Sequence, residues 1–180
     1  IIEKKRDKHE LNKDEIECRV GRVTSKGCSL LLYKTARVDR AILDEEFGNM
    51  NWQNDFKVID GKMYGGIGVR DSSSGWVWKW DCGTESYTEK EKGQASDCFK
   101  RAGFKWGIGV ELYTAPFIWV KVPTKNINGT FKLENENEKF FVKDISYNQN
   151  REIDGLIIIN SNNEIVYSKK SSVKYKKFDD

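Results

Sequence analysis

Apolar residues change their spacing several times along this chain, and each change marks a different element. Residues 1–17 are charged and polar without a period, which predicts a frayed segment leading into a short helix or strand at 16–20. The apolar run Cys28–Tyr33 suits a buried strand. Thr35 then offers an N-cap, residues 36–47 read as a helix, and Gly48 supplies its stop. At about 100° per residue, Arg37, Arg40 and Asp44 share one sector of that helix, while Val38, Ala41 and Ile42 occupy another. Arg40 and Asp44 can pair one turn apart, but Arg37 has no acid three or four residues on.

The period then falls to two. Residues 51–59 place Trp52, Phe56 and Val58 on one side, residues 62–70 place Met63, Ile67 and Val69 together, and residues 76–82 align Trp76, Trp78 and Trp80. Asp60-Gly61 and the cluster 72–75 separate them as hairpin turns, so the three runs predict an antiparallel meander. Gly65, Gly66 and Gly68 weaken the middle strand and imply curvature or the close approach of another backbone. Helical spacing returns after Thr88 and Glu91, which form a capping box, with Ala95, Cys98, Phe99, Ala102 and Trp106 on one face. The other face gathers Lys90, Asp97, Lys100, Arg101 and Phe104, with Lys105 on the flank. Gly107 ends the helix, and Gly93, Ser96 and Gly103 keep it slim. Further on, 117–122 reads as a strand closed by Pro123 and 135–139 as an acidic loop. Residues 140–145, 156–160 and 164–168 read as short strands, the last two joined at 161–163.

Composition narrows the class. A chain of 180 residues fits one domain, and 38% apolar with 12% aromatic residues favours a folded globule. The net charge of +3 is too small to announce a nucleic-acid binder, so any electropositive site must come from arrangement. Four cysteines, at 18, 28, 82 and 98, form no CxxC pair, and the single histidine is His9, which argues against zinc. No apolar run approaches 18 residues and the opening segment is no signal peptide, so the expectation is a cytoplasmic protein with reduced thiols and no membrane partner. Because it opens on Ile1 rather than methionine, the chain reads as one from which a short leader has been removed or left out. From Lys169 onward five lysines precede two aspartates, a solvated tail that can add nonspecific attraction to a polyanion.

The candidate chemistry is electrostatic. Lys100, Arg101 and Lys105 form a ridge suited to phosphates, because several cations on one ridge release counterions together; the bland alternative is a solubilising helix surface. Phe104 amid those charges can stack or meet another subunit. Arg37 reads first as an ordinary solvated arginine. The alternating tryptophans read as a packed core face or an oligomer interface ahead of a base-stacking platform. Glycines 65, 66 and 68 are not followed by G-K-[ST], and Gly107-x-Gly109 follows a helix, so neither is a nucleotide loop. Asp81 and Glu85 beside Lys79 and Lys90 can be drawn as a metal-dependent nuclease cluster, a pattern that chance supplies easily among 28 acids. His9 has no nucleophile context. No cofactor and no enzymatic activity are expected.

Taken in order, several motifs carry a family resemblance: Ile16-Glu17-Cys18-Arg19-Val20; Thr35-Ala36-Arg37-Val38 leading to Leu43-Asp44-Glu45-Glu46-Phe47-Gly48 and Asn51-Trp52; Glu91-Lys92-Gly93; Ser96-Asp97; Lys100-Arg101-Ala102; and Trp106-Gly107-Ile108-Gly109 with Leu112-Tyr113. The combination, spanning 15–120, resembles the Rad fifty-two/twenty-two family, and within it the phage single-strand annealing proteins of the Sak type. That resemblance implies an α+β fold: a β-β-β-α core with a curved antiparallel sheet packed on a long helix, residues 1–122, then a C-terminal β extension of the same domain, 123–168, and the lysine-rich tail 169–180. It implies a homo-oligomeric ring or filament that binds single-stranded DNA in a basic groove and anneals complementary strands without ATP, in recombination and repair. The setting implied is a phage or prophage protein in a bacterial cytoplasm, with a host single-strand binding protein as a further partner. By position, Arg37 matches the backbone-binding arginine of the first helix, and Lys100 with Arg101 match the paired cations of the long helix. Lys92 matches more loosely, Lys105 sits one place from a basic position occupied here by Phe104, and Cys18 stands where relatives often carry tryptophan. The rivals to annealing are a metal-dependent DNA nuclease and a non-catalytic structural oligomer.

Overall fold

The structure is a computed structural model that describes residues 10–84 and 90–171. It is a mixed α+β protein, mostly antiparallel sheet with two α-helices. In chain order the elements are β1 (Glu17–Thr24), β2 (Gly27–Tyr33), α1 (Ala36–Phe47), β3 (Trp52–Ile59), β4 (Lys62–Asp71), β5 (Gly75–Cys82), α2 (Lys90–Lys105), β6 (Ile118–Val120), β7 (Thr124–Ile127), β8 (Thr130–Leu133), β9 (Phe140–Tyr147), β10 (Ile153–Asn160) and β11 (Ile165–Lys169). Contacts divide the described chain into two compact units, 34–110 and 10–33 with 111–171.

In the first unit, α1 begins after Thr35, whose backbone is extended although its hydroxyl makes no cap bond, and stops at Gly48, whose φ of 78° suits glycine. Its buried residues are Asp39, Ile42 and Leu43, whereas Ala41 is exposed. The apolar sector is therefore rotated from the expected one, because the short Ala41 has little surface to hide and Asp39 takes an inward position. Strands β3, β4 and β5 form the anticipated antiparallel meander in unbroken register. Asp60 and Gly61, with φ of 50° and 73°, make the two-residue turn that right-twisted strands favour. At the other turn the Asp71 carboxylate accepts the backbone N–H groups of Ser73 and Ser74 at 3.1 and 2.9 Å, and both hydroxyls, which holds it well below the usual carboxylate range.

The expected capping box of α2 lies outside the described residues, since Thr88 and the Glu91 side chain are not among them. The other end of the helix is fully specified. Ile108 N–H donates to Gly103 O at 3.0 Å and Gly107 N–H to Phe104 O at 2.8 Å, a Schellman pair closed by Gly107 at φ 83°. Cys98 and Ala102 are fully buried, and an added Cβ at Gly65 would stand 2.6 Å from Cys98 Cβ and 3.1 Å from its carbonyl carbon. Gly65 thus answers the close approach of a second backbone, as its position in the strand suggested.

The second unit holds a six-stranded sheet in the order β11-β10-β9-β1-β2-β6, and a β7–β8 hairpin. The segment at 16–20 is a strand. In this sheet Cys28 pairs with Val120 and Leu30 with Ile118, all four fully or almost fully buried, and Glu17 pairs with Phe141, so β1 and β2 share one sheet with strands from beyond residue 122. Gly27 permits this closeness, since a Cβ there would lie 2.1 Å from Val120 O. The β7–β8 hairpin, turned by Asn128 and Gly129 at φ 52° and 85°, has no counterpart among the expected strands. Its available signal was Asn128-Gly129 followed by the alternation Phe131-Lys132-Leu133, although only Leu133 of its eight paired residues is buried. The fully buried Glu111 accepts Leu11 N–H at 2.9 Å and the Arg151 guanidinium at 3.0 Å, while Tyr147 donates to Leu11 O at 2.6 Å. Among the described residues no helix is long and apolar enough to cross a membrane.

Candidate nucleic-acid interface

The cations singled out from sequence all lie in the first unit, but on different flanks of it. Arg37 is exposed in the first turn of α1. Lys92 is exposed near the start of α2. Lys100 and Arg101, adjacent in sequence, diverge by the helical rotation of about 100°. Lys100 is half-buried on the side of α1, where its charge acts on Asp39. Arg101 turns to β5, its Nε 3.7 Å from Asp81 Oδ1. One turn on, Lys105 shares that side, with Nζ 3.8 Å from Asp81 Oδ2 and a further bond to Trp80 O. The single ridge expected from the wheel is thus two flanks of one helix, with Phe104 37% exposed between them.

Two arrangements that pattern reasoning missed hold these flanks in place. The first ties β5 to the end of α2. Lys79 donates to Lys105 O at 3.1 Å and sits 4.2 Å above the Trp106 ring, while Lys105 answers to Trp80 O. Trp106 in turn donates its indole N–H to Ile67 O at 3.0 Å and meets Phe47 edge-on at 6.0 Å. The second is a buried ion pair: Lys34 Nζ lies 2.6 Å from both oxygens of Asp39, with the two side chains 8% and 0% exposed. Burial pushes the Asp39 carboxyl up from its ordinary range, opposed by Lys34 and more weakly by Lys100. Space for the pair comes from two glycines. A Cβ at Gly103 would lie 2.4 Å from Asp39 Oδ1, and one at Gly109 2.3 Å from Lys34 Cε. The available signal for it was an acid one helical turn before Ile42 and Leu43 in α1.

On α1 itself, Arg40 approaches Asp44 at 3.7 Å, as spacing suggested, and Asp44 also accepts the Trp52 indole N–H at 2.7 Å. The drawn nuclease cluster is represented only by Asp81 and Lys79, because Glu85 and the Lys90 side chain lie outside the described residues. Among the described residues no three His, Cys, Asp or Glu side chains gather as metal ligands. All four cysteines are unpaired, and burial pushes the Cys18 thiol up to about 11.

The three tryptophans of β5 are not a core face. Trp76 is 40% exposed and Trp78 and Trp80 are half-buried, because the strand turns them away from the side on which Cys98 meets Gly65. What the geometry defines is a small mixed sheet-and-helix unit whose cations stand on both flanks of α2. No family model, curated protein or solved structure matches the chain.

Proposed function

We propose that this protein binds single-stranded DNA and anneals complementary strands without ATP, as a homo-oligomeric ring or filament acting in recombination and repair. In this reading β3–β5 with α2 form the β-β-β-α core of an annealing protein in the cytoplasm of a phage-bearing bacterium, assisted by a host single-strand binding protein. The observation that carries it is the disposition of α2: Lys100 toward α1, which bears the exposed Arg37, and Arg101 with Lys105 toward β5. Cations so spread can follow a strand of phosphates, with Lys92 extending the track and Phe104 available for stacking. Annealing needs no catalytic residue. Neutralised phosphates repel less, an extended strand loses its self-structure, and base pairing supplies the free energy.

The test incubates labelled complementary strands with the protein, with and without Mg²⁺ and ATP. Duplex formation independent of both is expected. Shortened strands would assign a nuclease, and unchanged strands a structural oligomer. The Lys100→Ala, Arg101→Ala double variant is expected to lose single-strand binding while keeping its circular dichroism spectrum, and retained affinity at moderate salt would refute the assignment.

A further inference from the structure

The register of the three-stranded sheet sorts its side chains onto two faces. One carries Gly65 and Ile67, which meet Cys98 and Trp106. The opposite face carries Gln53, Asp55 and Lys57 from β3, Lys62, Tyr64, Gly66, Gly68 and Arg70 from β4, and Trp76, Trp78 and Trp80 from β5. Gly66 pairs with Trp80 and Gly68 with Trp78. A Cβ at Gly66 would be 2.5, 2.6 and 2.7 Å from three fused-ring atoms of Trp80, and one at Gly68 2.7, 2.8 and 2.9 Å from three of Trp78. Near-equal distances mean that each indole lies face-on over its glycine, one π-face on the backbone and the other turned outward. The two rings are 21° from parallel with centroids 5.3 Å apart. Lys57 Nζ stands 4.2 Å from the Trp80 centroid, a cation held on the outer side of that ring that has to move aside, toward a phosphate, for a base to stack there. Three cations, Lys57, Lys62 and Arg70, share this face of the sheet with one acid, Asp55.

A flat aromatic floor edged by cations fits a ligand that alternates planar rings with negative charge. We propose that this face stacks the bases of single-stranded nucleic acid on Trp78 and Trp80, with Lys57, Lys62 and Arg70 meeting the adjoining phosphates. The inference rests on the strand-binding reading above but uses the opposite side of the sheet from α2. Stacking on a ring face leaves the base edges free, which suits later pairing. Glycine is required beneath each ring, since any side chain there would tilt the indole off the sheet.

The experiment compares binding of a dT oligonucleotide with an abasic deoxyribose-phosphate strand of equal length, at one salt concentration. The wild-type chain is expected to prefer dT about ten-fold or more, with quenching of tryptophan fluorescence by dT alone. Trp78→Leu with Trp80→Leu keeps apolar cover over the glycines and is expected to bind both strands alike. Lys57→Gln leaves the rings in place and is expected to weaken both strands equally. Wild-type protein that binds both strands equally overturns this inference while leaving strand binding intact, and that comparison needs no variant to fold. A leucine variant that changes oligomeric state yet keeps its dT preference also overturns it, making the face a subunit contact. Protein that binds neither strand overturns both readings.

Discussion

Position 103 tolerates a hydrogen and nothing larger, because a Cβ there would stand 2.4 Å from a carboxylate oxygen that is itself buried. Gly103→Ala is therefore expected to lower unfolding free energy by about 1–3 kcal/mol, read from urea denaturation. The pair it protects has a sharper signature. Lys34→Met leaves the buried Asp39 carboxyl without its partner, a loss of about 3–5 kcal/mol, whereas Lys34→Met with Asp39→Leu is expected to recover most of it. A second residue-scale expectation concerns acid. Asp154 accepts the Ser146 and Ser171 hydroxyls at 2.7 Å each, which holds its carboxyl below the ordinary value. A depressed folded pKa means that the unfolded chain takes up the proton first as pH falls. The stabilisation is thus present above the unfolded value near pH ~4 and is lost below it, through the folded value. Asp154→Asn should flatten that acid limb in thermal melts, and an unchanged limb would remove Asp154 from its cause. None of these partners was legible beforehand. Gly103 reads from sequence only as a slimming residue, and the place of Asp39 one turn before Ile42 and Leu43 hints at burial without naming Lys34, since the partner of a buried charge is fixed only in three dimensions.

Elements were easier to read where a local device sets their ends. Thr35 and Gly48 bracket α1, Asp60-Gly61 turns β3 into β4, and Gly107 closes α2, each through backbone geometry that a few residues determine. Gly107→Ala is expected to cost about 1 kcal/mol, because φ is 83° there and a Cβ is strained in that region. A substitution without effect on the denaturation midpoint would mean that the helix end frays without penalty. Faces were harder. The tryptophan alternation correctly marked a strand but gave no sign of which side would be covered, so the core reading failed. The same limit separated Lys100 from Arg101: a wheel assigns them to one broad polar sector, and only the positions of Asp39 and Asp81 split it. β1 and β2 pair with β6 and β9 through long-range contacts that no local period encodes.

At the scale of the whole molecule, charge is nearly balanced, 31 basic against 28 acidic residues, so affinity for a polyanion depends on where the acids sit. Asp81 is the decisive one, because both Arg101 and Lys105 turn toward it, at 3.7 and 3.8 Å. These cations are 47% and 46% exposed, so the ion pairs hold them loosely and a phosphate can compete for them. Removing the acid should release both. Asp81→Asn keeps the size of the side chain, raises the net charge by one, and is expected to tighten single-strand binding several-fold at low salt. The salt response separates this from an indirect effect. Each phosphate neutralised on a single strand contributes about −0.7 to the slope of log affinity against log salt, so releasing two cations should steepen the slope by about 1.4. Arg101→Ala in the same background should give back about half of that change. Weaker binding by Asp81→Asn at every salt concentration would mean that Asp81 aims the cations rather than masking them, and would move the phosphate track away from the β5 flank of α2.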